Sequence, residues 1–205
     1  IEQTIRERGW GDKALFPRCY VFISAPNSIT PFHFDRASNF LLQIRGSKQV
    51  SVFKPWDDRV ISPVEYERRG ADEPTAVRWK PESAAFGTTY TCGPGDALHI
   101  PFAAGHHVRN GPDDLSVTLS IFFNHRRSRD QLQALRFNNR MRKLLAPWGM
   151  TPARVGQVDA LDACKSLINR SMDRLKGVAM APLTGSLPFL HEAMGVADLF
   201  PRVMA

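Results

Sequence analysis

The chain has 205 residues, 43% of them hydrophobic and 23% charged, which suits one domain with a sizeable core and argues against a disordered chain. No apolar run reaches the ~18 residues a membrane span needs, and no basic-then-apolar leader opens the sequence. A net charge of +7 favours acidic partners (nucleic acid, anionic small molecules or acidic peptides) over cationic ones, unless it serves only to keep the surface soluble.

The first eleven residues read as the end of a helix closed by Gly9 and Gly11. The chain begins without Met, apparently in mid-helix, so a piece of a longer chain is expected. A strand-rich stretch follows. Residues 18–25 are β-branched and aromatic, and residues 39–46 and 48–55 flank Gly46-Ser47, a two-residue hairpin signal. Residues 56–86 are mixed and polar and predict a loop with a short helix, inserted over a barrel mouth. Strands resume at 87–92, 97–101, 106–110 and 115–124, separated by Gly/Pro turns at 93–96 and 111–114. Many short strands at such spacing predict a sandwich or small barrel. After Asn124 the period changes. Leu132, Leu135, Met141, Leu144 and Leu145 fall at helical spacing, with Ser128 as the expected cap and Pro147 and Gly149 as the stop. A second amphipathic helix is predicted over 158–177. Cys19, Cys92 and Cys164 are odd in number, far apart and without a Cys-x-x-Cys, which argues against a zinc or disulfide framework and fits a reducing cytoplasm.

One stretch carries chemistry: "TPFHFDRASNFLLQI", Thr30 to Ile44. On a strand, His33 and Asp35 leave the same face, so two ligands can converge on one ion. Chance alone supplies ~0.4 such His-x-Asp pairs in a chain of this composition, so the pair needs a partner. A third ligand is available in "PGDALHIPFAAGHHVRN", where a turn, a strand and a tight turn lead to His106 and His107. These two face opposite ways on a strand, so one of them, or His99 before them, completes a two-His-one-carboxylate set of the kind that binds Fe(II) with open positions.

Residues 95–110 resemble the second cupin motif, with Gly95, Pro101, His106 and Asn110 in register and Ala103 where the motif has Gly. The order Thr30-Pro31-x-His33-x-Asp35, Asn39-Phe40, Gln43-Ile44-x-Gly46-x-Lys48, Pro55 resembles the cupin-like, JmjC-type 2-oxoglutarate oxygenases, in their factor-inhibiting-HIF-like branch. The match covers about residues 18–124. It departs from the family at Ala104-Gly105, where relatives carry a Trp pair.

The resemblance implies a mainly β double-stranded β-helix, a jelly-roll of the cupin type, as a core over 1–125. A helical region over 126–205 would follow and could serve in dimerisation. It implies Fe(II) held by His33, Asp35 and His106, with 2-oxoglutarate as cosubstrate contacted by Lys48, Thr30, Asn39, Phe22 and Ser120. His99, His107, His125 and His191 are then structural or surface residues. The implied activity is hydroxylation of a peptide or protein side chain, with 2-oxoglutarate converted to succinate and CO2. Two other functions fit the same residues: a non-enzymatic metal-binding cupin-like regulator whose basic helices contact nucleic acid or a partner, and a cupin metalloenzyme that does not use 2-oxoglutarate.

Overall fold

The computed structural model describes residues 1–179 apart from positions 12, 75 and 113, with side chains as far as 175. The expected helical region is therefore seen only in its first part, and His191 lies outside the described residues. Eight strands are present: β1 (Leu15–Ser24), β2 (Ile29–Phe34), β3 (Ser38–Arg45), β4 (Lys48–Phe53), β5 (Gly87–Cys92), β6 (Ala97–Ile100), β7 (Gly105–Asn110) and β8 (Ser116–Asn124). They form two antiparallel four-stranded sheets, ordered β1-β8-β3-β6 and β2-β7-β4-β5. Apart from β4 to β5, every consecutive pair of strands changes sheet. This is the expected jelly-roll barrel.

That alternation corrects the predicted hairpin. β3 pairs with β6 and β8, and β4 pairs with β5 and β7, so the two strands flanking Gly46-Ser47 never pair with each other. Gly46 turns the chain from one sheet to the other at φ +69, and a Cβ there would lie 2.5 Å from the Leu115 carbonyl oxygen. A side chain is excluded on both counts.

Leu41, Val50, Cys92, Ile100, Ala104 and Val108, from both sheets, fill the barrel interior. A second apolar cluster covers one end of the barrel. There Phe34, Phe53, Phe102 and Ala103 meet Val60, Ile61, Tyr66, Leu135 and Val155, and each large side chain so buried contributes roughly 1.5–3 kcal/mol. The insertion supplies Val60, Ile61 and, from α2 (Pro63–Gly70), Tyr66. The start of α2 is encoded in "SPVE". Ser62 Oγ accepts from the Glu65 N–H, and Glu65 accepts from the Ser62 N–H at 2.9 Å, a full capping box with Pro63 at the first helical position.

Helix α1 spans Glu2–Glu7, α3 Arg126–Leu145 and α4 Asp159–Ala179. Gly70 lets α2 meet α3 closely, since a Cβ there would sit 2.8 Å from the Leu135 Cβ. His125, not Ser128, is the N-cap of α3; its ring accepts from the Ser128 N–H while Ser128 Oγ accepts from the His125 N–H. Residues Ile1–Met172 form one compact unit, so α3 and most of α4 belong with the barrel. Among the described residues no helix is long and apolar enough to cross a membrane, and all three cysteines are free thiols.

Candidate metal and cosubstrate site

His33 on β2 lies opposite His106 on β7, and His106 lies opposite Val52 on β4. Two steps along, Thr30 pairs with Val108, and Val108 with Val50. Pro31 and Phe32 of β2 thus face His107 alone on β7, which is a β-bulge. The bulge brings Thr30 and His33 to the same interior face despite their odd spacing. Asp35 follows the end of β2, and its carbonyl oxygen accepts from the Ala103 N–H at 3.4 Å. Ala103 holds that turn in the left-handed region, φ +64, so it adopts the conformation for which the motif uses Gly at a cost of roughly 1–2 kcal/mol.

The three side chains converge. Nε2 of His33 is 3.8 Å from Oδ1 of Asp35, and Nε2 of His106 is 3.6 Å from Oδ2. One ligand atom from each lies within 4.8 Å of the others. Each imidazole is oriented through its other nitrogen: Nδ1 of His33 is 2.7 Å from the Pro31 carbonyl, and Nδ1 of His106 is 3.0 Å from the Ala104 carbonyl. Donation from Nδ1–H to those oxygens leaves both Nε2 lone pairs for a cation. Burial pushes His106 below the usual imidazole range in spite of Asp35, so it stands as a neutral ligand rather than half of an ion pair. Asp35 and His33 are partly exposed, and His106 is buried. The donor set fits a borderline divalent ion with coordination positions left open toward solvent.

His107 points to the other face, against Phe53 and Trp79. His99 packs among Trp10, Phe40 and Phe123. Neither joins the cluster. Gly105 is also constrained, because a Cβ there would meet the Phe32 ring at 2.7 Å; Phe32 occupies the space beside the His106 strand.

Of the remaining candidates, Lys48, Asn39 and Ser120 are buried. Lys48 is 6% exposed. It pairs in register with Cys92 and Asn110, four residues from Val52 and so about 13 Å along the strand from the His106 level. Burial pushes its ammonium below the usual lysine range, and among the described residues no hydrogen bond or ion pair reaches it. On the opposite sheet, the interior face carries Asn39, Phe122 and Arg18 in one row, then Leu41, Ser120 and Tyr20, then Gln43, Thr118 and Phe22. The Asn39 Oδ1 is buried without a partner. Ser120 is buried, whereas Thr30 and Phe22 are open to solvent at the edge strands. Two residues of this interior were not singled out as contacts. Asn110 faces Lys48 in register and has an unpartnered buried Oδ1, although its Nδ2 donates to Ser28 Oγ at 2.7 Å. Tyr20 packs on Phe22 and Phe122; its place on an alternating strand was the available signal.

Comparisons with known proteins agree with the architecture. Residues 11–129 match the cupin-like domain family. A lysine-specific demethylase 8 from Danio rerio is 28% identical over 102 residues, covering 47% of this chain and 24% of that protein. The chain thus spans about a quarter of the length of that curated relative. Among solved structures, a polyketide cyclase from Streptomyces resistomycificus is similar at 21% identity and TM-score 0.33, over 56% of this chain and 60% of that one. An oxalate decarboxylase variant from Bacillus subtilis gives 19% and 0.37, over 66% and 29%. A Drosophila melanogaster CENP-C bound to CAL1 gives 13% and 0.35, over 51% and 62%.

Proposed function

The chain belongs to the cupin-like domain family, and on that premise we propose that it is an Fe(II)- and 2-oxoglutarate-dependent oxygenase that hydroxylates a peptide or protein side chain. The observation that carries this reading is Lys48. A buried ammonium without a counter-charge is costly, and a barrel whose mouth bears His33, Asp35 and His106 supplies the reason to keep one: an anionic cosubstrate that spans from the metal to the lysine. Fe(II) would be held by the two Nε2 atoms and the Asp35 carboxylate. The far carboxylate of 2-oxoglutarate would be held by Lys48 and the Thr30 hydroxyl, with Asn39, Ser120 and Phe22 along its length. When bound, the pair supplies activation of O2, with 2-oxoglutarate going to succinate and CO2.

The protein's own residues do the rest. The Pro31 and Ala104 carbonyls fix both imidazoles. Leu41, Val50, Ile100 and Val108 keep water from the interior between metal and lysine. No side chain is required as a general base. The relative's name records lysine demethylation. The net charge of +7 disfavours a lysine-rich tail, so hydroxylation of an uncharged or acidic segment is the better reading. The free thiols fit a cytoplasmic setting. Succinate should form on addition of Fe(II) and 2-oxoglutarate and vanish in His33→Ala and in Asp35→Ala. Full turnover in both variants would refute the assignment.

The same reading includes a homodimer through the C-terminal helices. It is supported by α4, which is inverted: Asp162, Lys165, Ser166 and Asn169 are buried, while Leu161, Leu167 and Ile168 are 37%, 66% and 47% exposed. A helix normally turns its apolar stripe inward.

A further inference from the structure

Beside the metal ligands lies a concentration of positive charge that the triad and Lys48 do not use. Arg36 follows Asp35 directly and forms an ion pair with Asp72, just past the end of α2. Arg136 on α3 donates to the same carboxylate at 2.9 Å and to the Gly70 carbonyl at 3.1 Å. Arg69 on α2 and Arg18 on β1 are close enough to act on Arg36. Burial first, then Arg69, Arg136 and Arg18, hold its guanidinium below the usual arginine range. Two guanidinium groups, those of Arg36 and Arg136, thus share the Asp72 carboxylate, with Arg69 three residues before it in the chain. Arg18 and Arg69 are exposed and make no hydrogen bond or ion pair among the described residues. Arg18 shares its row with Phe122 and Asn39, and Asn39 lies four residues after the metal-ligand candidate Asp35.

We propose that Arg18, Arg36, Arg69 and Arg136 form a substrate subsite that binds a carboxylate side chain of an acidic peptide segment, a reading that deepens the oxygenase assignment above and rests on it. Geometry selects a peptide over a nucleic acid. β1 is an edge strand of its sheet, paired with β8 alone, so its outer edge can take an extended main chain by strand addition. Arg18 stands on that same strand, near the residues where its register with β8 shifts. Planar guanidiniums match carboxylate oxygens in pairs. Asp72 holds Arg36 and Arg136 in place, leaving Arg18 and Arg69 to engage the incoming acid.

The test is binding by the metal-free full chain, read by fluorescence anisotropy. The probes are a glutamate-containing pentapeptide with an uncharged dye, its glutamine counterpart, and an oligothymidylate of equal charge. The glutamate peptide should bind about tenfold or more tightly than the glutamine peptide at low salt, and the preference should shrink as salt screens it. Arg18→Glu with Arg69→Glu should abolish the preference while circular dichroism and Co(II) binding stay as in the wild type. Equal binding of the two peptides, a preference that survives in the double variant, or tighter binding of the oligothymidylate would overturn the proposal. Cobalt binding separates the two ideas: a chain that binds cobalt but shows no preference loses only this subsite, and one that shows the preference without cobalt loses only the metal assignment.

Discussion

Lys48→Met should move two quantities in opposite directions, which no purely structural lysine would do. The side chain is 6% exposed and lacks a hydrogen-bonding or charged partner among the described residues. Burial holds its affinity for a proton below that of the unfolded chain. A depressed lysine pKa means that the unfolded state binds the proton more tightly, so at neutral pH the charge works against folding. Replacing an unfavourably buried charge with an apolar side chain of similar volume is neutral to stabilising by about 1–4 kcal/mol. Taking about 1–2 kcal/mol, a domain of this size should gain about 2–8 °C in Tm without ligand. With 2-oxoglutarate the sign reverses. Loss of one member of a buried charge pair costs about 2–5 kcal/mol, so Kd should rise at least about 30-fold. Thermal unfolding of the ligand-free protein gives the first quantity. Calorimetric titration of the Mn(II)-loaded protein with 2-oxoglutarate gives the second. A fall in Tm together with an affinity within threefold of the wild type would refute the argument, because it would mean that Lys48 is held by the protein rather than for the cosubstrate.

Arg142 reaches the buried Glu67 through two bonds, Nε to Oε2 at 2.6 Å and Nη2 to Oε1 at 2.8 Å. Arg142→Ala strands that carboxylate and should cost about 3–5 kcal/mol, or roughly 10 °C in a thermal melt. Burial, with Arg127 and His99 nearby, holds His125 down at about 4, and burial lowers His99 as well. For a histidine with a lowered folded pKa, stability is complete above the unfolded value of about 6.5 and is lost as pH falls toward the folded one. Urea midpoints should therefore drop between pH 6.5 and 4, and His125→Asn, which retains a capping side chain, should flatten the profile. The exposed apolar stripe of α4 predicts a dimer at micromolar concentration by light scattering, and Leu167→Glu with Ile168→Glu should halve the mass. A monomeric wild-type mass would count against that interface.

The jelly-roll and the convergence of His33, Asp35 and His106 were legible because they rest on local signals: alternating strands, Gly/Pro turns, two histidines on strands and a carboxylate just past the end of one. What escaped depended on contacts far along the chain. Gly46-Ser47 carries the local chemistry of a hairpin, but β3 finds β8 and β6 while β4 finds β7 and β5. A turn that reverses a strand within its sheet and a turn that passes it to the opposite sheet use the same residues, and only the distant partners decide. The capping box of α2, by contrast, is a local signal carried by Ser62 and Glu65. The inverted α4 was not readable from periodicity, since a hydrophobic stripe does not say whether it faces the core.

The bulge in β2 is where the local pattern would have misled most. Strict alternation puts His33 and Thr30 on opposite faces, and a reading by period alone would keep the histidine and discard the threonine. The extra residue between them, Pro31 and Phe32 on β2 against His107 on β7, puts Thr30 on the same face as His33. Under the proposed function it would also separate two demands on that strand: one end would offer His33 and then Asp35 to an ion, and the other a hydroxyl on the face that carries Val108 and Val50. A regular strand would have to sacrifice one of them, and bulges are enriched beside active sites.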